Sequence, residues 1–305
     1  MPKNILYRPT LIDELITNER LDSYSPIFQH SNDVELVGAY LWNIQVCSAL
    51  YPLLTAAEVT LRNSINTALT NDLGRFWWRR NTLHYKSFTP GGTEPFAVRA
   101  IVSNFSKAAD QVRRDKRSRY NIRNARPTHH EIIAKTEFST WEFILDTEFM
   151  APNLIWPTNL GLVFKGEWPT SSASRMLSST KDLVKTIREF RNRVSHHEPV
   201  WKKFGVRSEL EAINHLHEKI NKIMQLIKLI SPEKEQLVIK NGILSKAQRV
   251  CSLNELRHCQ HALESKKVKS VTKLCKLASQ VSIDNKTEKI TLYKHGKTKL
   301  LIHPI

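Results

Sequence analysis

Residues 33–74, DVELVGAYLWNIQVCSALYPLLTAAEVTLRNSINTALTNDLG, carry apolar side chains at the spacing of a helix that buries one face. Leu50, Leu54, Ala57, Leu61, Ile65 and Ala68 recur at steps of three and four. A stripe of this length commits the chain to packing helix on helix. Pro52 is expected to kink the pattern or divide it in two, and Gly74 to stop it.

The same period returns downstream, so the fold class reads as mainly α. A helix is expected over 95–112, running into the charged stretch 113–126. TEFSTWEFILDTEFM (136–150) is near-helical, and 154–164 reads as a connection with one more helical turn. A further helix starts near 178, with Ser179 and Asp182 as a capping box. Another covers 207–230, with Leu210, Ile213, Leu216, Ile220, Met224 and Ile227 on one face. SFTPGGTEP (87–95) is a loop. After SPEKEQ (231–236) the chain turns lysine-rich, with short helices near 252–265 and 271–279. It ends in EKITLYKHGKTKLLIHPI, which reads as a β-hairpin around His295-Gly296. The expected domains are a helical one over 1–230 and a small basic C-terminal extension over 231–305.

Charge narrows the partners. The 305 residues hold 46 Lys and Arg against 29 Asp and Glu, a net charge of +17, which attracts polyanions. Nucleic acid is the favoured partner. No stretch is expected to approach the roughly 18 uncharged apolar residues that span a bilayer, and no basic amphipathic helix with a strong apolar face stands out, so a membrane is not an expected partner. The first residues, MPKNILYRPTLIDELI, place acids inside an apolar stretch and do not read as a signal peptide. Four cysteines without a CxxC pair read as reduced thiols, which fits a cytoplasmic protein. The spacing of Cys251, His258, Cys259 and His261 fits no zinc motif, and no phosphate-cradling glycine loop is present. Neither a metal nor a cofactor is expected.

The densest chemistry lies in TIREFRNRVSHHEPVW, residues 186–201. A helix advances about 100° per residue, which places Leu183, Ile187, Phe190 and Val194 on the core-facing stripe. Asn192 and His196 fall about 40° apart and nearly opposite it. Arg191 flanks the stripe on one side and His197 on the other, while Arg193 projects sideways as a candidate RNA contact. His197 reads as structural, bonded to a backbone carbonyl or to Glu198. His196 faces solvent or another chain. Pro199 ends the helix by pushing its predecessor out of the α region. A histidine that exchanges protons near neutral pH, close to arginines, suits work on a phosphodiester. Arg191 and His196 lie about 140° apart on a regular helix. Either the helix end distorts or two copies of the chain combine their motifs. A two-fold axis makes such a composite site from a single helix, and a homodimer is the favoured route.

RNRVSH matches the Arg-polar-x-x-x-His pattern of HEPN-domain ribonucleases, with Arg191, Asn192 and His196 in the three positions. FRNRVSHHEPVW, with LYPLLTAAEVTLRNSINTAL and TEFSTWEFIL upstream in the same order, is similar to the Abi-like (AbiD/AbiF-type) abortive-infection proteins of bacteria. The resemblance covers roughly residues 35–225. It implies a HEPN-type helical bundle with helical insertions that dimerises into a metal-independent, toxin-like endoribonuclease. On that resemblance His196 moves a proton, Arg191 binds the phosphate and its developing charge, and Asn192 orients the pair. Which proton His196 moves stays open. RNA is then the partner, as substrate and, in a second capacity, as a bound regulator; an antitoxin stays open. The region after 231 lies outside the resemblance.

Other signals have two readings each. Glu58 and Arg62, four apart, form an ion pair, or Glu58 supports Arg62 and Asn63 beside the RNA. In 113–126, seven basic residues meet one acid, and Arg113, Arg114, Lys116, Arg117 and Arg119 are either a solvated face or RNA contacts. Trp77 and Trp78 beside Arg75, Arg79 and Arg80 read more readily as a core anchor than as a stacking platform. The alternative function is a non-catalytic RNA-binding defence protein that grips phosphates with the same residues.

Overall fold

The structure, a computed structural model, describes residues 7–262, 265–267, 270–284, 290–294 and 298–302. It is mainly helical. In chain order the helices are α1 (Asn18–Leu21), α2 (Asp33–Leu73), α3 (Phe96–Tyr120), α4 (His129–Lys135), α5 (Phe138–Phe143) and α6 (Leu160–Val163). They continue as α7 (Ala173–Ser195), α8 (Glu209–Ile230), α9 (Pro232–Lys240), α10 (Ile243–Val250), α11 (Leu253–Cys259) and α12 (Val271–Asp284). Besides a π-helical segment at Tyr7–Ile16 and a 3-10 turn at Thr147–Phe149, there are three short strands: β1 (Ser265–Lys267), β2 (Ile290–Lys294) and β3 (Thr298–Ile302). β2 runs parallel to β1 and antiparallel to β3, with Leu292 opposite Leu300. The turn expected at His295-Gly296 lies outside the described residues.

Pro52 does not divide α2, which runs unbroken through it. Its missing N–H deprives only the Ser48 carbonyl, and both residues lie on the exposed face, where solvent can take that carbonyl. Gly74, at φ 85°, ends the helix. By length and hydropathy α2 also passes as a membrane span, because Leu36–Ala57 holds no charged residue, contrary to the expectation that no uncharged apolar stretch approaches that length. Trp42, Val46, Leu50, Leu61 and Ile65 along it are buried inside the protein. On α8 the buried face starts at Ala212 and Ile213, and Leu210 is exposed rather than part of the stripe.

The chain divides into two compact units, one of residues 1–53, 191–221 and 238–305, the other of 54–190 and 222–237. The boundary read near 231 falls inside this interleaving. The core of the first unit is aromatic. The Phe28 ring meets Trp201 at 4.8 Å and Trp42 at 5.5 Å, and Tyr24 meets Trp201 at 5.2 Å. Burying rings of this size stabilises by roughly 2–3 kcal/mol each. The Trp42 Nε1–H donates to the Val250 carbonyl at 2.8 Å. Gly38 on α2 lets the backbone at Cys259 and Gln260 come so close that a Cβ would sit 2.5 Å from the Gln260 Cα. The lysine-rich stretch is thus, up to Gln260, part of this core.

In the second unit Trp77 and Trp78 are core anchors: Trp78 stacks on Phe105 at 4.0 Å, and Trp77 meets Phe105 edge-on at 5.2 Å. The buried His129 joins them. Its Nδ1 accepts from the Phe76 N–H at 3.3 Å, and its Nε2 lies 3.0 Å from Asn66 Oδ1. Burial, then the neighbouring His130 and Arg75, hold its pKa below the ordinary value. The N-terminal part of α7 is tied into this unit by ion pairs of Lys181 with Asp146 and of Arg188 with the buried Glu142.

Candidate active site at the end of helix α7

Helix α7 begins earlier than its sequence pattern suggests. Ser172 caps it, its Oγ accepting from the Arg175 N–H at 3.4 Å and its carbonyl from Met176 at 2.8 Å. Ser179 and Asp182 lie inside the helix, where the Ser179 hydroxyl donates back to the Met176 carbonyl at 3.0 Å. The buried stripe is Val184, Ile187, Phe190 and Val194, with Leu183 half-buried at its edge.

The other end is set by His197. Its φ of 54° places it in the left-handed region, which glycine usually fills at this point. Its N–H donates to Val194 O at 3.2 Å, and the Glu198 N–H reaches back to Arg193 O at 3.0 Å. These two bonds are the Schellman pattern that satisfies the last helical carbonyls. The helix therefore stops two residues before Pro199. Up to His196 the backbone stays helical, the His196 N–H donating to Asn192 O at 3.0 Å.

Two side chains hold the turn that follows. Arg193 directs Nε to Glu198 at 3.1 Å, Nη1 to the Lys202 carbonyl at 2.8 Å, and Nη2 to the Pro199 carbonyl. Asn43, buried on α2, donates from Nδ2 to the Glu198 carbonyl at 3.1 Å and accepts from the Val200 N–H at 3.0 Å. Val200 and Trp201 then enter the aromatic core. The motif thus sits on a fixed platform, with Arg191 and Asn192 half-buried and His196 exposed. Among the described residues the His196 imidazole has no structural bond. With the backbone regular up to this point, Arg191 and His196 project about 140° apart around the helix axis.

His197 is exposed, and the Glu198 carboxylate expected beside it pairs with Arg193. Beside the motif lies a cleft of about 470 Å³, lined by Ile44, Cys47 and Tyr51 of α2 and by Ser195 and His197. Burial pushes the Cys47 thiol up to about 11, so it is not a nucleophile at neutral pH. Among the described residues no group of three His, Cys, Asp or Glu side chains could hold a metal ion.

The family profile of Abi-like proteins matches residues 17–202, which include α2, α5 and the whole motif through Trp201. The chain belongs to the Abi-like family. The match begins further upstream than the resemblance read from the sequence and ends at Lys202, short of residue 225. No curated protein and no solved structure matches the chain. Membership of the Abi-like family suggests a part in abortive-infection defence.

In this Abi-like chain the other candidate RNA contacts stand on α2 and α3. Arg62 is half-buried, its Nε 3.4 Å from Asn63 Oδ1, and Asn63 is exposed; Glu58, one turn earlier, is half-buried. On α3, Arg113 pairs with Asp110 at 2.6 Å and Arg114 donates to Gln111 at 2.8 Å. Lys116 holds Glu131, the acid of the α4 capping box, at 2.7 Å and keeps that carboxyl at about 2. Arg117 and Arg119 are exposed near the helix end, where Asn121 terminates α3 at φ 54°. Asn43 escaped the sequence reading. The available signal was an amide placed among apolar neighbours in AYLWNIQVC.

Proposed function

We propose that this Abi-like protein is a metal-independent endoribonuclease of a bacterial anti-phage or toxin-like system, with a composite Arg/His site formed in a homodimer of HEPN type. The observation that carries the reading is His196: an exposed imidazole at a rigidly held helix end, preceded by Arg191 and Asn192, without a structural task among the described residues. The RNA 2′-hydroxyl attacks the adjacent phosphorus and loses its proton. The bond from phosphorus to the 5′-oxygen breaks, and that oxygen takes up a proton. The products are a 2′,3′-cyclic phosphate and a 5′-hydroxyl. His196 serves one of these proton transfers. Arg191 binds the phosphate as its negative charge grows, and Asn192 orients the two. The regular backbone supports the dimer over a distorted helix end, because it leaves guanidinium and imidazole diverging within one chain.

The test is cleavage of RNA by purified protein in EDTA. New cyclic-phosphate ends that vanish in Arg191→Ala and His196→Ala, both folded, support the reading. Normal cleavage by either variant sinks the assignment. Salt-sensitive RNA binding without any product leaves the non-catalytic alternative.

A further inference from the structure

Eight residues beyond His196 the chain makes a tight turn, and at its apex the Phe204 side chain is completely exposed. The Val206 N–H donates to Lys203 O at 3.2 Å, and Gly205 takes φ 88°. A positive φ at the third position is the mark of a type II turn, with Phe204 at the second. Both legs are pinned. The Lys202 N–H donates to Pro199 O at 3.0 Å, and the Lys202 carbonyl accepts from Arg193. On the far side the Arg207 N–H donates to the Glu211 carboxylate at 2.7 Å, and Ser208 caps α8. Lys202, Lys203 and Arg207 on the two legs of the turn are exposed as well, Lys203 lying 3.6 Å from Glu218.

A single exposed apolar residue is ordinary. This one combines three features that ordinary exposure does not. The ring stands on a rigid turn, three exposed cations lie within three residues of it along the chain, and Arg193, three places before His196, holds that turn through the Lys202 carbonyl. An aromatic face among cations is what single-stranded nucleic acid requires, since bases stack and phosphates need positive charge. Local charge also decides against the same turn of a second copy as the occupant, because Lys202, Lys203 and Arg207 would then face their own like charges.

We propose that Phe204 is a stacking platform for an unpaired base of the RNA, with Lys202, Lys203 and Arg207 meeting the flanking phosphates. This rests on the RNA reading above and deepens it: the substrate is single-stranded near the cut, and the turn sets which nucleotide lies at His196. Phe204 stands just past the residues that the family profile covers.

The test is binding of a fluorescent 2′-O-methyl oligoribonucleotide, which lacks the attacking hydroxyl, followed by anisotropy. Phe204→Ala should weaken binding about ten-fold, given what stacking contributes per base, and leave the thermal unfolding midpoint unchanged. Phe204→Trp should restore binding, and Phe204→Leu, apolar without a π face, should not. Parent-like binding by Phe204→Ala or Phe204→Leu overturns the platform while the nuclease reading stands. So does a loss of affinity that follows only from changed self-association in sedimentation velocity, which makes Phe204 a protein contact. If the parent does not bind the oligomer, both readings fall. Cleavage that survives His196→Ala, with Phe204-dependent binding intact, overturns the His196 assignment alone.

Discussion

Asn43 spans the backbone behind the candidate site, donating to the Glu198 carbonyl at 3.1 Å and accepting from the Val200 N–H at 3.0 Å. One buried amide thus satisfies both a carbonyl and an N–H of the turn that positions His196. Asn43→Ala strands both groups, and Asn43→Asp turns a donor into a charge facing a carbonyl. Each stranded buried group costs about 1–3 kcal/mol. Asn43→Ala is therefore expected to lose roughly 2–4 kcal/mol in urea unfolding, and RNA cleavage should fall even where the variant is folded. An unchanged urea midpoint removes the clamp from the account.

The two adjacent histidines are expected to separate cleanly. His197 holds a left-handed conformation that costs a side chain with a Cβ roughly 1–2 kcal/mol. His197→Gly relieves that strain at some cost in unfolded-state entropy, so stability should stay within about 1 kcal/mol of the parent. Cleavage should persist in it. His196→Ala, at an exposed position, should fold like the parent and lose cleavage. Loss of cleavage in His197→Gly together with retention in His196→Ala would exchange their roles.

Acid should destabilise the fold through two buried histidines. Burial and the neighbouring Lys219 lower His215 from 6.5 to about 4, with Lys203 and Arg193 acting in the same direction and Glu218 against it. His129 is lowered as well, by burial first. Both pKa values are depressed on folding, so the unfolded chain binds more protons between the two values. Stability is then fully present above pH 6.5 and is lost as pH falls toward about 4. The His215 share is at most roughly 3 kcal/mol. Urea midpoints between pH 7.5 and 4.5 should drop steeply in the parent and less in His215→Leu. Equal slopes would show that His215 does not carry the effect.

Much of the scaffold was legible, because buried stripes follow the helical period whatever they pack against. α2, α3 and α8 lie close to where their apolar spacing puts them. What escaped depends on partners distant in sequence. Pro52 reads as a break unless its exposed face is known. The start of α7 at Ser172 was hidden because Ser179 and Asp182 copy the signature of a cap. Trp77 and Trp78 could be weighed but not decided, since stacking on Phe105 is a tertiary fact. Within the motif, the wheel turned His196 away from its own core, toward solvent or another chain. It could not show that Arg193, read as an RNA contact, spends its guanidinium on the turn, nor that His197 closes the helix where glycine is usual. Asn43 is marked only by an amide among apolar neighbours, and Phe204 by no local pattern at all.

Gly38 tests whether the lysine-rich stretch is part of the core. A Cβ there would lie 2.5 Å from Gln260 Cα and 2.6 Å from Cys259 O, and backbone atoms cannot swing aside as a side-chain tip can. Gly38→Ala should therefore cost about 3 kcal/mol, at the upper end of overpacking, despite the better helix propensity of alanine. The drop should appear in the same cooperative transition as that of Asn43→Ala. A neutral Gly38→Ala would mean that the segment at 259–260 packs less closely on α2.

Mixing two dead variants separates a composite site from one complete in each chain. If each site takes Arg191 from one protomer and His196 from the other, an Arg191→Ala chain paired with a His196→Ala chain has one site with both residues lost and one intact. Random exchange makes half the dimers mixed, each with one working site of two. The mixture should then recover about a quarter of the parent's specific activity, although each variant alone is inactive. A site complete within one chain gives no recovery, because every chain lacks one residue. Exchange must be confirmed with differently tagged protomers, so that silence in the mixture counts against the shared site. Recovery near a quarter would also show that the 140° between Arg191 and His196 is spanned from outside the chain.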